Sequence, residues 1–161
     1  MKKLAIYDMD GTIVDSSHRY QTMPCNTRID LPHWIENCTD EKIAMDQVLP
    51  HYRQYEKDLQ CDKTTVIIAT ARTMSQGDAN YKYISNVLGD PDYIVHRTKN
   101  DTRKGTDLKT SGIMQNLSDI ENFDTITIYE DNMAYLQGMT EFFDNLVSSV
   151  IPVFVKSNQG Y

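Results

Sequence analysis

The chain has 161 residues, enough for one domain with its own core and too few for two full-sized ones. Hydrophobic residues make up 40% and charged residues 24%, an ordinary balance for a folded protein, which excludes disorder as a description of the whole. A net charge of −7 excludes a surface that grips long nucleic acid by general attraction to phosphates, so a nucleic-acid substrate would have to be held at an end.

The first predicted element is an apolar strand over Lys3 to Tyr7 that runs into Asp8-Met9-Asp10-Gly11-Thr12. Two carboxylates one residue apart then stand at the carboxyl end of a strand, where open α/β sheets bind their ligands. A carboxylate that attacks phosphorus needs a neighbouring acid and a divalent cation to screen the phosphate, and Asp8, Asp10 and Gly11 offer such a setting in one turn. A bare Asp-Gly turn carries no such meaning. The paired acids behind an apolar run do.

Residues from about 17 to 62 interrupt the pattern. They hold Pro24, Pro32, Pro50, the single tryptophan Trp34, three of the four histidines and several tyrosines. A helix is predicted over Glu41 to Leu59, interrupted near Pro50. The segment reads either as a small helical cap inserted after the first strand or as the first crossover connection, with its helices outside. Trp34 is expected to anchor the core of that unit rather than to serve as a base-stacking platform.

Further strands are predicted at about residues 65 to 69, 93 to 95, 125 to 129 and 151 to 155, and helices over Ala79 to Leu88, Asp107 to Leu117 and Asn132 to Phe143. Strand and helix alternate, which implies a parallel sheet with helices on both faces. Cys25, Cys38 and Cys61 are widely spaced and suggest neither a zinc site nor a disulfide framework. His18, His33, His51 and His96 show no pair at ligand spacing and are read as ordinary polar residues. The opening apolar run is too short for a signal peptide or membrane span, so a cytoplasmic protein is expected.

Four stretches in order resemble the motifs of the haloacid dehalogenase (HAD) superfamily: Lys3 to Val14, the strand Val66-Ile67-Ile68-Ala69-Thr70, Lys109 with Lys104 as the lesser candidate, and Ile126 to Asp131. More narrowly, Asp101 to Lys109, taken with Arg19 and Arg72, is similar to the 3′-phosphatase domains of bacteriophage polynucleotide kinase/phosphatases. Two departures stand out: Gly105 replaces an acid four residues before the lysine, and Glu130 replaces an Asp. No Gly-x-x-x-x-Gly-Lys-[Ser/Thr] loop is present in these residues, so no kinase half is expected.

The resemblance implies a single domain over 1–161 with a HAD-type, Rossmann-like parallel sheet flanked by helices. It implies Mg²⁺ as cofactor, held by Asp8, the Asp10 main-chain carbonyl and Asp131, with Glu130 joining the metal site or orienting Lys109. Asp8 would be the nucleophile, Asp10 the general acid and base, Thr70 a donor to the phosphoryl group and Lys109 its counter-charge. Arg19, Arg72, Gly11, Thr12 and Ala71 would contact the substrate. The implied activity is phosphomonoester hydrolysis through an aspartyl-phosphate, on a nucleotide or a nucleic-acid 3′-phosphate. The alternatives are a small-metabolite phosphatase, acting on a sugar phosphate or a nucleoside 5′-monophosphate, and a non-catalytic binding protein. The intact set Asp8, Asp10, Thr70 and Asp131 argues against the last, because a binder needs no nucleophile with its acid.

Overall fold

A computed structural model describes residues 1–24 and 29–156. In chain order the elements are β1 (Lys3–Tyr7), β2 (Val14–Asp15), α1 (Leu31–Glu36), α2 (Asp40–Ala44), β3 (Gln47–Val48), α3 (Tyr52–Leu59) and β4 (Thr64–Thr73). Then come α4 (Ala79–Tyr83), β5 (Tyr93–Arg97), α5 (Gly105–Asn116), β6 (Thr125–Glu130), α6 (Met133–Asp144) and β7 (Val150–Phe154). Five strands form one parallel sheet in the order β5-β4-β1-β6-β7, while β2 and β3 form a separate antiparallel ribbon. The predicted parallel sheet flanked by helices is therefore observed.

Side chains of β1 alternate between the two faces, as a strand requires. Leu4 and Ile6 join Ile67, Val95, Ile113, Ile126, Leu136 and Phe143 under α5 and α6. Ala5 and Tyr7 join Val66, Ile68, Tyr55, Tyr83, Ile84 and Leu88 under α3 and α4. This double burial explains the nearly continuous apolar reading of β1 and β4.

The sheet order makes β1 the switch point, since the chain leaves it toward β4 and β5 and returns to its other side at β6. Tyr7 is level with Ile68 on one side and Tyr129 on the other, so the residues that follow them, Asp8, Ala69 and Glu130, emerge at one height. The site is thus set by strand register before any loop contributes.

The helix expected over Glu41 to Leu59 is instead α2, the extended pair Gln47–Val48, and α3. Long-range pairing decides this: Val48 and Gln47 pair with Val14 and Asp15, and the Leu49 N–H donates to the Ile13 carbonyl. Thr39 caps α2 and Asp30 caps α1, each accepting a main-chain N–H with its side chain. The helix expected over Ala79 to Leu88 is α-helical to Tyr83 and widens to a π turn over Ile84–Leu88, ending at Gly89 with φ of +92°. Among the described residues, no helix is long and apolar enough to cross a membrane.

Candidate active site

Asp8 leaves β1 with its main-chain N–H on the Tyr129 carbonyl. The turn behind it is drawn tight by the Met9 carbonyl, which accepts N–H bonds from Thr12, Ile13 and Val14, while Gly11 takes φ of +81°, a conformation that suits a residue without Cβ. The Thr12 hydroxyl donates to one Asp8 oxygen at 3.1 Å and the Lys109 ammonium to the other at 2.8 Å. Lys109 also donates to Glu130 at 2.6 Å, and its side chain is 1% exposed. Of the two lysines that the sequence left open, Lys109 is therefore the one in the site, and Lys104 stands exposed at the start of α5.

Asp131 completes this cluster. Oxygens of Asp8, Glu130 and Asp131 lie within 4.8 Å of one another, and among the described residues the buried Asp131 Oδ2 has no hydrogen-bond partner. Of these three carboxylates, Asp8 and Glu130 are bonded to the Lys109 ammonium. Burial, reinforced by the charges of their neighbours, pushes the carboxyls of Glu130 and Asp131 above the usual carboxylate range. Burial pulls Lys109 down, but the charges of Asp8 and Glu130 outweigh this and hold it above the ordinary lysine range. An all-oxygen donor set of excess negative charge, with one oxygen unpartnered, fits a hard divalent cation such as Mg²⁺.

A second cluster is built around Asp46. Its carboxylate accepts from Arg19 Nε and Nη2, both at 2.9 Å, from Arg72 Nη2 at 2.9 Å, and pairs with His18 Nε2 at 2.8 Å. Arg72 also grips Asp10 through two bonds of 2.8 and 2.6 Å and reaches Asn80 at 3.0 Å. The Ser16 hydroxyl donates to Asp10 at 2.6 Å. Burial would raise the Asp10 carboxyl, but the Arg72 guanidinium and its paired bonds prevail and hold it below its usual range.

Thr70 and Arg72 reach this region because β4 is irregular. Ala69 is level with Val95, yet Thr73 is level with Arg97, so extra residues swing out between them. The Thr70 hydroxyl accepts the Arg72 main-chain N–H at 3.1 Å, and the Ala71 carbonyl accepts from Arg97.

Several expected contacts differ from what the structure holds. Arg19 is 1% exposed and donates to Asp46 and Cys38, so it braces Asp46. Arg72 likewise spends its guanidinium on Asp10, Asp46 and Asn80. The N–H groups of Gly11 and Thr12 are taken by the carbonyls of Val14 and Met9, and the Thr12 hydroxyl orients Asp8. Trp34 is half-buried and lies outside both apolar cores. Its ring covers the Arg19 guanidinium at 4.2 Å, with Arg72 at 5.9 Å. Cys38 and Cys61 are free thiols, and Cys25 lies outside the described residues. Sequence reasoning missed Asp46, Asn80, Ser16 and the pairing of His18. Asp46 follows an exposed methionine and precedes an exposed pair, so no local pattern marks it.

A parallel sheet in this strand order, with paired acids after β1, a lysine from α5 and acids after β6 converging on the switch point, is a Rossmann-like α/β fold, consistent with the HAD-type resemblance. Solved structures share it: two structures of the Pnkp1/Rnl/Hen1 RNA repair complex align over 96% of this chain, at TM-scores of 0.64 and 0.61 and 15% and 17% identity, covering 43% and 45% of those chains. A putative phosphatase from Clostridium difficile aligns over 93% of this chain and 94% of its own, with a TM-score of 0.60 and 11% identity. The chain belongs to the bacteriophage T5 5′-deoxynucleotidase family, whose sequence profile matches residues 1–98. It is 31% identical to the 5′-deoxynucleotidase of Escherichia phage T5 over 106 residues, which are 63% of this chain and 43% of that protein. The chain therefore spans less than half the length of that relative.

Proposed function

We propose that this protein is a Mg²⁺-dependent nucleotide phosphomonoesterase that works through an aspartyl-phosphate on Asp8. The observation that carries the reading is the placement of one buried ammonium between Asp8 and Glu130, beside an Asp131 carboxylate oxygen with no partner. Mg²⁺ would be held by Asp8, Asp131, Glu130 and the Asp10 main-chain carbonyl, and when bound it supplies the positive charge that lets a phosphate approach a carboxylate.

Lys109 and Thr12 fix both oxygens of Asp8, which holds the nucleophile in one orientation, and Lys109 favours its ionised form. Asp8 attacks phosphorus, and the Thr70 hydroxyl donates to a phosphoryl oxygen. Asp10 is the proton carrier. Held ionised by Arg72, it is ready to take a proton from the water that hydrolyses the aspartyl-phosphate. A bound phosphate dianion beside it raises its proton affinity, so the same group arrives protonated for the leaving oxygen. In this reading Arg72 tunes Asp10 and Asp46 holds Arg72, while Arg19, with the Trp34 ring over it, secures Asp46.

Family membership supports a deoxynucleoside 5′-monophosphate as substrate, ahead of the 3′-phosphate that the sequence over Asp101 to Lys109 suggests. The deciding measurement is kcat/KM with Mg²⁺ for deoxynucleoside 5′- and 3′-monophosphates, a short 3′-phosphorylated oligonucleotide and a sugar phosphate. Preference for the 5′ mononucleotide is expected. Preference for the 3′-phosphorylated oligonucleotide would restore the end-repair reading, and preference for the sugar phosphate would remove nucleotides altogether.

A further inference from the structure

Tyr135 is the third residue of α6, only four residues after Asp131, and its main-chain N–H is tied down by the capping side chain of Asn132 at 3.1 Å. Its ring lies against the first residue of α5. A Cβ placed on Gly105 would sit 2.4 Å from the Tyr135 ring, closer than any side chain tolerates, so this seat exists only because residue 105 is glycine. The two helices interlock a second time in the opposite sense: a Cβ on Gly138 would sit 2.8 Å from the Thr106 methyl. One helix carries Lys109 and the other follows directly on Glu130 and Asp131. The interlock therefore sets the lysine's height against the acids.

The same ring faces the lysine itself, with the Lys109 ammonium 5.4 Å from its centroid. Two hydrogens of that ammonium point to the carboxylates of Asp8 and Glu130. A four-carbon stem leaves the ammonium free to swing between the acids of the cluster, and an aromatic face within about 6 Å attracts a cation. We propose that Tyr135 is a positioning residue for Lys109, holding the ammonium between Asp8 and Glu130 through its ring face and its seat on Gly105. The inference rests on the reading of Lys109 as the counter-charge of Asp8.

The test compares Y135F, which keeps the ring, with Y135L, which keeps apolar bulk without a π face, using p-nitrophenyl phosphate and Mg²⁺. Y135F should hold kcat within about twofold of wild type, and Y135L should lose about tenfold in kcat with KM changed less than threefold. In NMR spectra of the wild type and Y135F, the Lys109 side-chain hydrogens should carry a ring-current shift that Y135L lacks. Equal losses in Y135F and Y135L would assign the effect to the hydroxyl and overturn the proposal, as would Y135L within twofold of wild type. If Y135L does not fold, absence of the ring-current shift in the wild type overturns it alone. Failure of the underlying reading looks different: K109M would then stay active while the ring-current shift persists in the wild type.

Discussion

The acid cluster around Lys109 and the network around Asp46 lie at the same end of the sheet, yet their charges are balanced differently. Asp46 and Asp10 meet two guanidiniums, and the bonds of Arg19 and Arg72 close on them. In the cluster of Asp8, Glu130 and Asp131 the Lys109 ammonium pairs with the first two, and among the described residues Asp131 Oδ2 has no hydrogen-bond partner. A balanced buried network is satisfied as it stands and works as scaffolding. An unbalanced one is satisfied only with a cation, and that is where chemistry with a phosphate can occur. The two also differ in origin: the acid cluster comes from strand ends in register, whereas the Asp46 network joins the segment after β1 to β4 and α4.

The largest effect expected from this contrast is on turnover. Asp8→Asn keeps shape and removes the nucleophile's charge, so activity should fall by about 10³-fold or more, roughly 4 kcal/mol in the barrier, with the far-UV spectrum unchanged. Turnover within about tenfold of wild type would mean that Asp8 does not attack. Next comes stability, where the two clusters should respond in opposite directions. Asp46→Ala leaves two buried guanidiniums short of their carboxylate, and denaturant unfolding should show a loss of about 3–5 kcal/mol. Asp131→Asn relieves crowded negative charge, and the metal-free protein should become more stable. A loss in both variants would break the distinction between a balanced and an unbalanced cluster.

Legibility in the sequence followed the same division. Register carries the acid cluster, and register follows from runs that any reading of apolar pattern finds: Lys3–Tyr7, the centre of β4 and Thr125–Glu130. Asp8, Glu130 and Asp131 stand at the ends of the first and last of those runs, and Lys109 reaches them from α5. Asp46 could not be read from such runs, because its partners are 27 and 26 residues away along the chain and reach it through side chains alone. The arginines were found but their partners were not. A guanidinium reads as a phosphate ligand when the carboxylate that satisfies it is invisible. The break expected near Pro50 in the helix across Glu41 to Leu59 is present but wider than expected, since the pairing of β2 with β3 overrides local helix propensity at Gln47 and Val48.

A smaller effect should be seen with metal and pH. Burial and neighbouring charge raise Glu130 and Asp131, so the metal-free folded chain keeps protons that the unfolded chain has released. Its stability therefore falls as pH rises from the ordinary carboxylate range toward those raised values. A divalent cation replaces the protons and binds more tightly as pH rises. The rise in Tm on adding Mg²⁺ should accordingly be larger at about pH 8 than at about pH 6, and Asp131→Asn should remove most of it. Hydrolysis should stop on chelation and return with Mg²⁺. A Tm gain that is flat with pH, or that survives in Asp131→Asn, would place the ion elsewhere.

The smallest expected effect separates two views of Trp34. A tryptophan anchoring an apolar core costs about 3–5 kcal/mol when truncated, because it leaves a cavity that the surroundings cannot fill. A tryptophan laid over a guanidinium contributes about 0.5–2 kcal/mol, since the arginine stays hydrogen-bonded without it. The ring is 4.2 Å from the Arg19 guanidinium, and α1, which carries it, buries no residue of its own. Trp34→Leu should therefore cost about 1 kcal/mol in denaturant unfolding while Arg19 remains paired with Asp46. Activity should fall only a few-fold, because Arg72 and Asp10 keep their own bonds. A loss above about 3 kcal/mol would make Trp34 the core anchor of its segment and the Asp46 network dependent on apolar packing. No loss at all would mean that hydrogen bonds alone hold Arg19, leaving the balanced cluster independent of α1.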